Sequence, residues 1–171
     1  ASLMSGFVAS HIRVAEIEQY RYFITGEDLA AMEWVRENTP ICARFAVNTY
    51  FWLPKAPHGT DAGYWIPYLT GRETTAGSML SFMAPGEHHR SVVEMSRMVE
   101  ELENSNEAIA GLQAMGVDYI YVGRQGDFSG TGLDADRLRQ SEELKELYQK
   151  GAVAVFQLSP LADSTSDEAD R

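Results

Sequence analysis

LQAMGVDYIYVG, Leu112 to Gly123, decides how this chain folds. Ala108, Ile109, Leu112 and Met115 recur at helical spacing behind Ser105, a good N-cap, and Gly116 stands where helices commonly stop. VDYIYVG follows at once, a near-continuous run of β-branched and aromatic residues too short for a second helix. Such a run fits a strand covered on both faces. Two further segments read the same way: ARFAVN (residues 43–48) and AVAVFQL (residues 152–158).

Helices fill the spaces between these strands. Thr25 can cap a helix in which Asp28, three residues on, completes a capping-box variant. Leu29, Met32 and Val35, with Trp34 beside them, form its inward stripe, and Thr39-Pro40 ends it. Val92, Met95, Val99 and Leu102 mark another helix. The pattern predicts an α/β fold: a layered, mainly parallel β-sheet holding the three strands, flanked by the helices from Thr25 and Val92.

The remaining segments are placed around that frame. Residues 1–24 mix alternating and helical spacing and are read as a connecting segment; residues 25–160 form one α/β domain; residues 161–171, with four acids, form a solvated tail. Tyr50, Phe51, Trp52 and Leu53 make an aromatic cluster closed by Pro54 and Pro57. Met79, Leu80, Phe82 and Met83 give the loop at 76–86 an apolar face. A short helical turn is expected from Asp134, and a helix capped by Ser141 with Leu144 and Leu147 facing in.

At 171 residues, 44% of them hydrophobic, the chain is long enough to bury a sizeable core. The formal charge of −11 argues against a nucleic-acid partner and against attraction to an anionic lipid surface. No run reaches the length of a membrane span, and the first residues lack the features of a signal peptide. Without a methionine at position 1, the chain reads as part of something longer. Cys42 is the single cysteine, so there is no disulfide framework; it is expected to be a small, partly buried hydrophobe.

Motifs for metal, cofactor or nucleophilic chemistry are missing from the sequence. GRQGDFSGTG (residues 123–132) lacks the Gly-Lys-Ser/Thr of a phosphate loop and is expected to be a surface turn, with Arg124 its one suggestive residue. His88 and His89 are adjacent, so on a helix they point about 100° apart and do not share one metal ion. The expectation is no catalytic residue, no metal and no cofactor.

One segment departs from scaffold: HGTDAGYWIPYLTGRETTAG, His58 to Gly77. It sets Asp61 among glycines and large aromatics, and ends on the pair Arg72-Glu73. Two readings stay open. Asp61 caps a short helix carrying Tyr64, Trp65, Tyr68 and Leu69 and stopped by Gly71, whose rings fill the core. Alternatively, the segment is a binding surface of Asp61, Tyr64, Trp65, Arg72 and Glu73, where amphipathic rings grip sugar faces or peptide groups.

The order of these features resembles the C-terminal extracytoplasmic domain of large multi-span membrane glycosyltransferases, the class using lipid-phosphate-linked sugars that includes oligosaccharyltransferases and protein mannosyltransferases. EDLAAMEWVRENTP (residues 27–40) is similar to the opening helix of those domains, and LQAMGVDYIYVG to their later helix–strand unit. GTDAGYWIPYLTGRETT resembles their acceptor-reading Trp-Trp-Asp-Tyr-Gly segment and its Tyr-Trp-Ile continuation. Gly59 and Thr60 replace the two tryptophans and Ala62 the tyrosine, so only Asp61, Gly63, Tyr64 and Trp65 carry over. The resemblance covers residues 25–158. It implies an accessory domain on the extracytoplasmic face of the membrane, not catalytic alone. Its implied partners are the membrane-embedded part of the same polypeptide and a glycan or lipid-linked sugar. A stand-alone ligand-binding protein or enzyme using Asp61, Arg72 and Glu73 is the alternative.

Overall fold

A computed structural model describes residues 24–77, 86–126 and 129–159. The connecting segment up to residue 23, the apolar loop of Met79 to Met83 and the acidic tail lie outside the described residues. Strands β1 (Arg44–Val47), β4 (Glu73–Thr74), β5 (Tyr119–Val122), β6 (Leu144–Lys150) and β7 (Val153–Leu158) form one sheet in the order β4-β1-β5-β7-β6. β1 is parallel to both β4 and β5, whereas β7 runs antiparallel to β5 and β6. Four strands therefore share one direction. The three strands expected from the sequence are β1, β5 and β7, side by side at the centre.

Alternation along these strands builds two cores. Phe45, Val47, Tyr119, Tyr121, Val153 and Val155 face one side, where α1 (Gly26–Asn38) and the short α2 (Ile66–Thr70) cover them through Ala31, Met32, Val35 and Ile66. Ala46, Ile120, Val122, Ala154 and Phe156 face the other, under α3 (Gly86–Glu101) and α4 (Asn106–Ala114), which contribute Met95, Val99, Ile109 and Leu112. This is a three-layer α/β architecture. Both faces of the central strands are buried, which is why their sequences read as unbroken apolar runs.

The capping box forms as expected: Thr25 and Asp28 exchange hydrogen bonds at the start of α1. The inward stripe differs by one position. Asp28, Ala31, Met32 and Val35 are buried, whereas Leu29 is 51% exposed. Ser105 caps α4, and Asp134 caps the short α5 (Ala135–Leu138).

Two further expectations are corrected. Residues 144–150 are strand, not helix: Gly151 turns β6 into a hairpin with β7, and a bulge between Glu146 and Tyr148 shifts the alternation. Leu144 consequently packs on one core and Leu147 on the other. Two leucines three apart satisfy a helix and a bulged edge strand equally well. Cys42 is exposed rather than partly buried, at the turn between α1 and β1. The aromatic cluster at 50–53 is β2 (Thr49–Leu53), paired antiparallel with β3 (Ala56–Gly59) as a separate hairpin. No helix among the described residues is long and apolar enough to cross a membrane.

Candidate functional site

The strand order creates a crevice before any side chain is considered. From the carboxyl end of β1 the chain travels to β4 at one edge; from the carboxyl end of neighbouring β5 it travels to β6 at the other. Adjacent strands whose connections leave in opposite directions leave a gap at their carboxyl ends, where open α/β sheets hold ligands. Asn48 follows β1 directly and Gly123 follows β5.

The turn Asp61–Ala62 occupies that gap. Both residues are left-handed, at φ 51° and 63°. Such backbone costs a non-glycine residue about 1–2 kcal/mol and persists only where the surroundings impose it. The surroundings are visible. The Asn48 amide lies 2.9 Å from both Thr60 Oγ1 and the Ser129 carbonyl and donates also to the Asp61 carboxylate. Ser129 Oγ donates to the other carboxylate oxygen and accepts from Gly126 N at 2.6 Å. The Asp61 backbone carbonyl presses on Gly123 so closely that a Cβ there would sit 1.8 Å from it. Asp61 thus ties the two lips of the crevice together.

Burial raises the Asp61 carboxyl above the usual aspartate range, outweighing the hydrogen bonds from Ser129 and Asn48 that pull it down. Beneath it, Tyr121 donates to buried Asp28 at 2.7 Å, and burial followed by the Asp28 charge holds the tyrosine well above its ordinary value. A polar vein therefore runs through the core from the α1 cap to the crevice.

Asp61 does not cap the helical turn that follows it. The cap position of that 3-10 turn, Gly63–Trp65, is Ala62, with no side-chain bond. Gly71 does end α2 in left-handed geometry. The rings instead form a series: His58 to Tyr64 at 5.8 Å, Tyr64 to Trp65 at 5.6 Å, and Trp65 to Tyr68 at 6.0 Å between centroids. His58, Tyr64 and Trp65 are half-buried, and Tyr68 is 80% exposed.

Arg72 and Glu73 lie elsewhere and do different work. The buried Arg72 guanidinium donates to the carbonyls of Arg36 (2.8 Å), Thr39 (2.7 Å) and Thr70, so it clamps the carboxyl ends of α1 and α2. Glu73 pairs with Arg44 at the surface. Both line a groove of about 640 Å³ with His88 and Met95. The structure brings Asp61, Tyr64 and Trp65 into one segment but keeps Arg72 and Glu73 apart from the carboxylate's own contacts. His88 and His89 both lie on α3, and no metal-binding group of His, Cys, Asp or Glu occurs among the described residues. Arg124, in the loop after β5, is exposed.

Sequence reasoning misses Asn48 and Ser129 and reads Gly123 only as part of a surface turn, although Gly123 and Ser129 are both buried. An asparagine placed directly after a buried strand was the available signal; its partners lie 13 and 81 residues away.

No protein-family model matches the chain, and no curated protein matches it in sequence. A solved structure is similar in its fold. The chain is similar to the C-terminal globular domain of an oligosaccharyltransferase from Archaeoglobus fulgidus, with a TM-score of 0.47 and 12% identity. The likeness covers 80% of this chain and 99% of that one.

Proposed function

We propose that this chain is an extracytoplasmic accessory domain of a membrane glycosyltransferase that uses lipid-phosphate-linked sugar. In this reading it positions acceptor or substrate and leaves the chemistry to the membrane-embedded part of the same polypeptide. The observation that carries the proposal is the strained Asp61–Ala62 turn, wedged where the sheet's connections diverge and locked by side chains from both lips. Strain held at one place by this many bonds points to a selected geometry rather than a default one. The ring series beside it, ending at exposed Tyr68, gives flat amphipathic faces suited to sugar or peptide groups. The resemblance of residues 59–75 to an acceptor-reading segment supports the same assignment.

Asp61, Tyr64 and Trp65 form the reading surface, while Arg72 and Glu73 hold its frame. The Asp61 carboxylate is already engaged by two donors, so it organises the surface and is not a general base. The test is transfer from a lipid-linked sugar in native membranes carrying the polypeptide as encoded. Asp61→Asn should raise the acceptor KM about tenfold with a smaller change in kcat. Unchanged transfer in Asp61→Asn, with Trp65→Ala lowering only folding stability, would make the segment core and refute the assignment. Turnover by the purified 171-residue chain, lost in Asp61→Ala, would equally refute it.

A further inference from the structure

The β2–β3 hairpin leaves the sheet at the carboxyl end of β1 and ends in a two-residue turn, Pro54-Lys55, between the paired Leu53 and Ala56. The register slips between Phe51 and Leu53, so a bulge falls at Trp52. A regular strand would send Trp52 and Leu53 to opposite faces; here both are open to solvent, at 57% and 61% exposed. They are two of the most exposed large apolar side chains among the described residues. The tip is nonetheless stiff. Arg97, from α3, sits 3.8 Å over the Phe51 ring and donates to the Pro54 carbonyl at 3.1 Å.

We propose that this tip is a lipid-contacting wedge that seats the domain on the polar–apolar boundary of a bilayer. The inference rests on the reading of the chain as an accessory domain of a membrane enzyme. Three observations choose lipid over a protein partner. First, Trp and Leu beside a lysine are the residues that settle at a membrane interface, the indole at headgroup depth and the ammonium reaching outward. Second, the two side chains offer on the order of 250 Å², far below the roughly 800 Å² per partner of a stable protein interface. Third, charge at the tip is locally favourable in a chain of net −11: Lys55 is exposed with no ion pair among the described residues, and the acid nearest Arg97, Glu100, is neutralised by it at 2.9 Å.

The placement fits the crevice. Four residue steps, about 14 Å of strand, carry the chain from Leu53 back to Thr49, whose partner Gly59 stands two residues before Asp61. A site reading an acceptor for a sugar carried on a lipid needs that proximity.

The experiment uses the whole chain, tethered to phosphatidylcholine vesicles by a Gly/Ser linker long enough for every face to reach the surface. Bromine on the acyl chains quenches tryptophans that enter the interface. Trp34 is half-buried against Tyr148 and Trp65 is half-buried in the ring series, so quenching reports chiefly on Trp52. Wild type should lose about half its Trp52 emission, Trp52→Phe should show no quenching, and Leu53→Asp should reduce it at least about fivefold. Tyr68→Ser and Asp61→Asn should quench as wild type does, and unchanged circular dichroism would show that each variant folds. Absence of quenching in wild type overturns the proposal. So does self-association in lipid-free buffer that Leu53→Asp abolishes, since the tip would then face another copy. Quenching with no effect of Asp61→Asn on transfer would sink the positioning reading and leave the wedge standing; the reverse pattern would sink the wedge alone.

Discussion

Gly123→Ala is the sharpest test of the crevice architecture. The added Cβ would lie 1.8 Å from the Asp61 carbonyl oxygen and 2.8 Å from its carbon, where real Cβ contacts essentially never fall below 3.0 Å. The gap must open by about 1.2 Å, the difference between those two limits. The obstacle is backbone, and backbone held at φ 51° and 63° by Asn48 and Ser129, so it cannot rotate aside cheaply. Overpacking of a rigid site costs about 1–3 kcal/mol, and loosening the Asp61 hydrogen bonds adds roughly 1–2 kcal/mol. The sum is about 3 kcal/mol. With a urea m-value of about 2 kcal/mol/M, the unfolding midpoint should fall by roughly 1.5 M at unchanged m. Gly77→Ala is the control: nothing lies within 4 Å of the place its Cβ would take, and it should stay within about 0.5 kcal/mol of wild type. If Gly123→Ala and Gly77→Ala unfold at the same urea concentration, Asp61 does not pack against the end of β5.

Two further outcomes follow from the same geometry. Arg72→Met should cost about 3–5 kcal/mol, because it strands the carbonyls of Arg36, Thr39 and Thr70, and Arg72→Lys should recover little of it without the planar fork; an effect no larger than that of the surface change Glu73→Gln would refute the clamp. Asp61 is raised in the folded state, so the native protein holds its proton to higher pH than the unfolded chain does, and stability referred to Asp61→Asn should fall as pH rises from about 4 and level off above the folded value. Urea titrations of the two proteins across that range check the sign; a wild type that gains on the variant with rising pH would show that hydrogen bonding, not burial, governs the carboxyl.

Much of the frame was legible because it rests on local chemistry. The Thr25–Asp28 capping box needs only four residues, and the buried runs in β1, β5 and β7 announce themselves by composition. Legibility failed where two structures share one pattern. Leu144 and Leu147 fit a helix until Gly151 and the bulge near Leu147 are known to make a hairpin. Leu29 fits an inward stripe, but Asp28 takes the inward place because Tyr121, 93 residues away, supplies its donor.

The sequence by itself determined the α/β fold, where the central strands lie, where the helices behind Thr25 and Ser105 begin, and that His58 to Gly77 is the unusual segment; the helix read from Val92 begins six residues earlier, at Gly86. Only the tertiary structure decided what the side chains of that segment contact. Asp61 looks like a helix cap because capping depends on neighbours in sequence, yet its carboxylate is claimed by Asn48 and Ser129, residues 13 and 68 positions away. Arg72 and Asp61, eleven positions apart, are separated for the same reason. Folding assigns a buried polar group to whichever donors and acceptors the sheet order brings within about 3 Å, since leaving it unpaired costs more than any local preference returns.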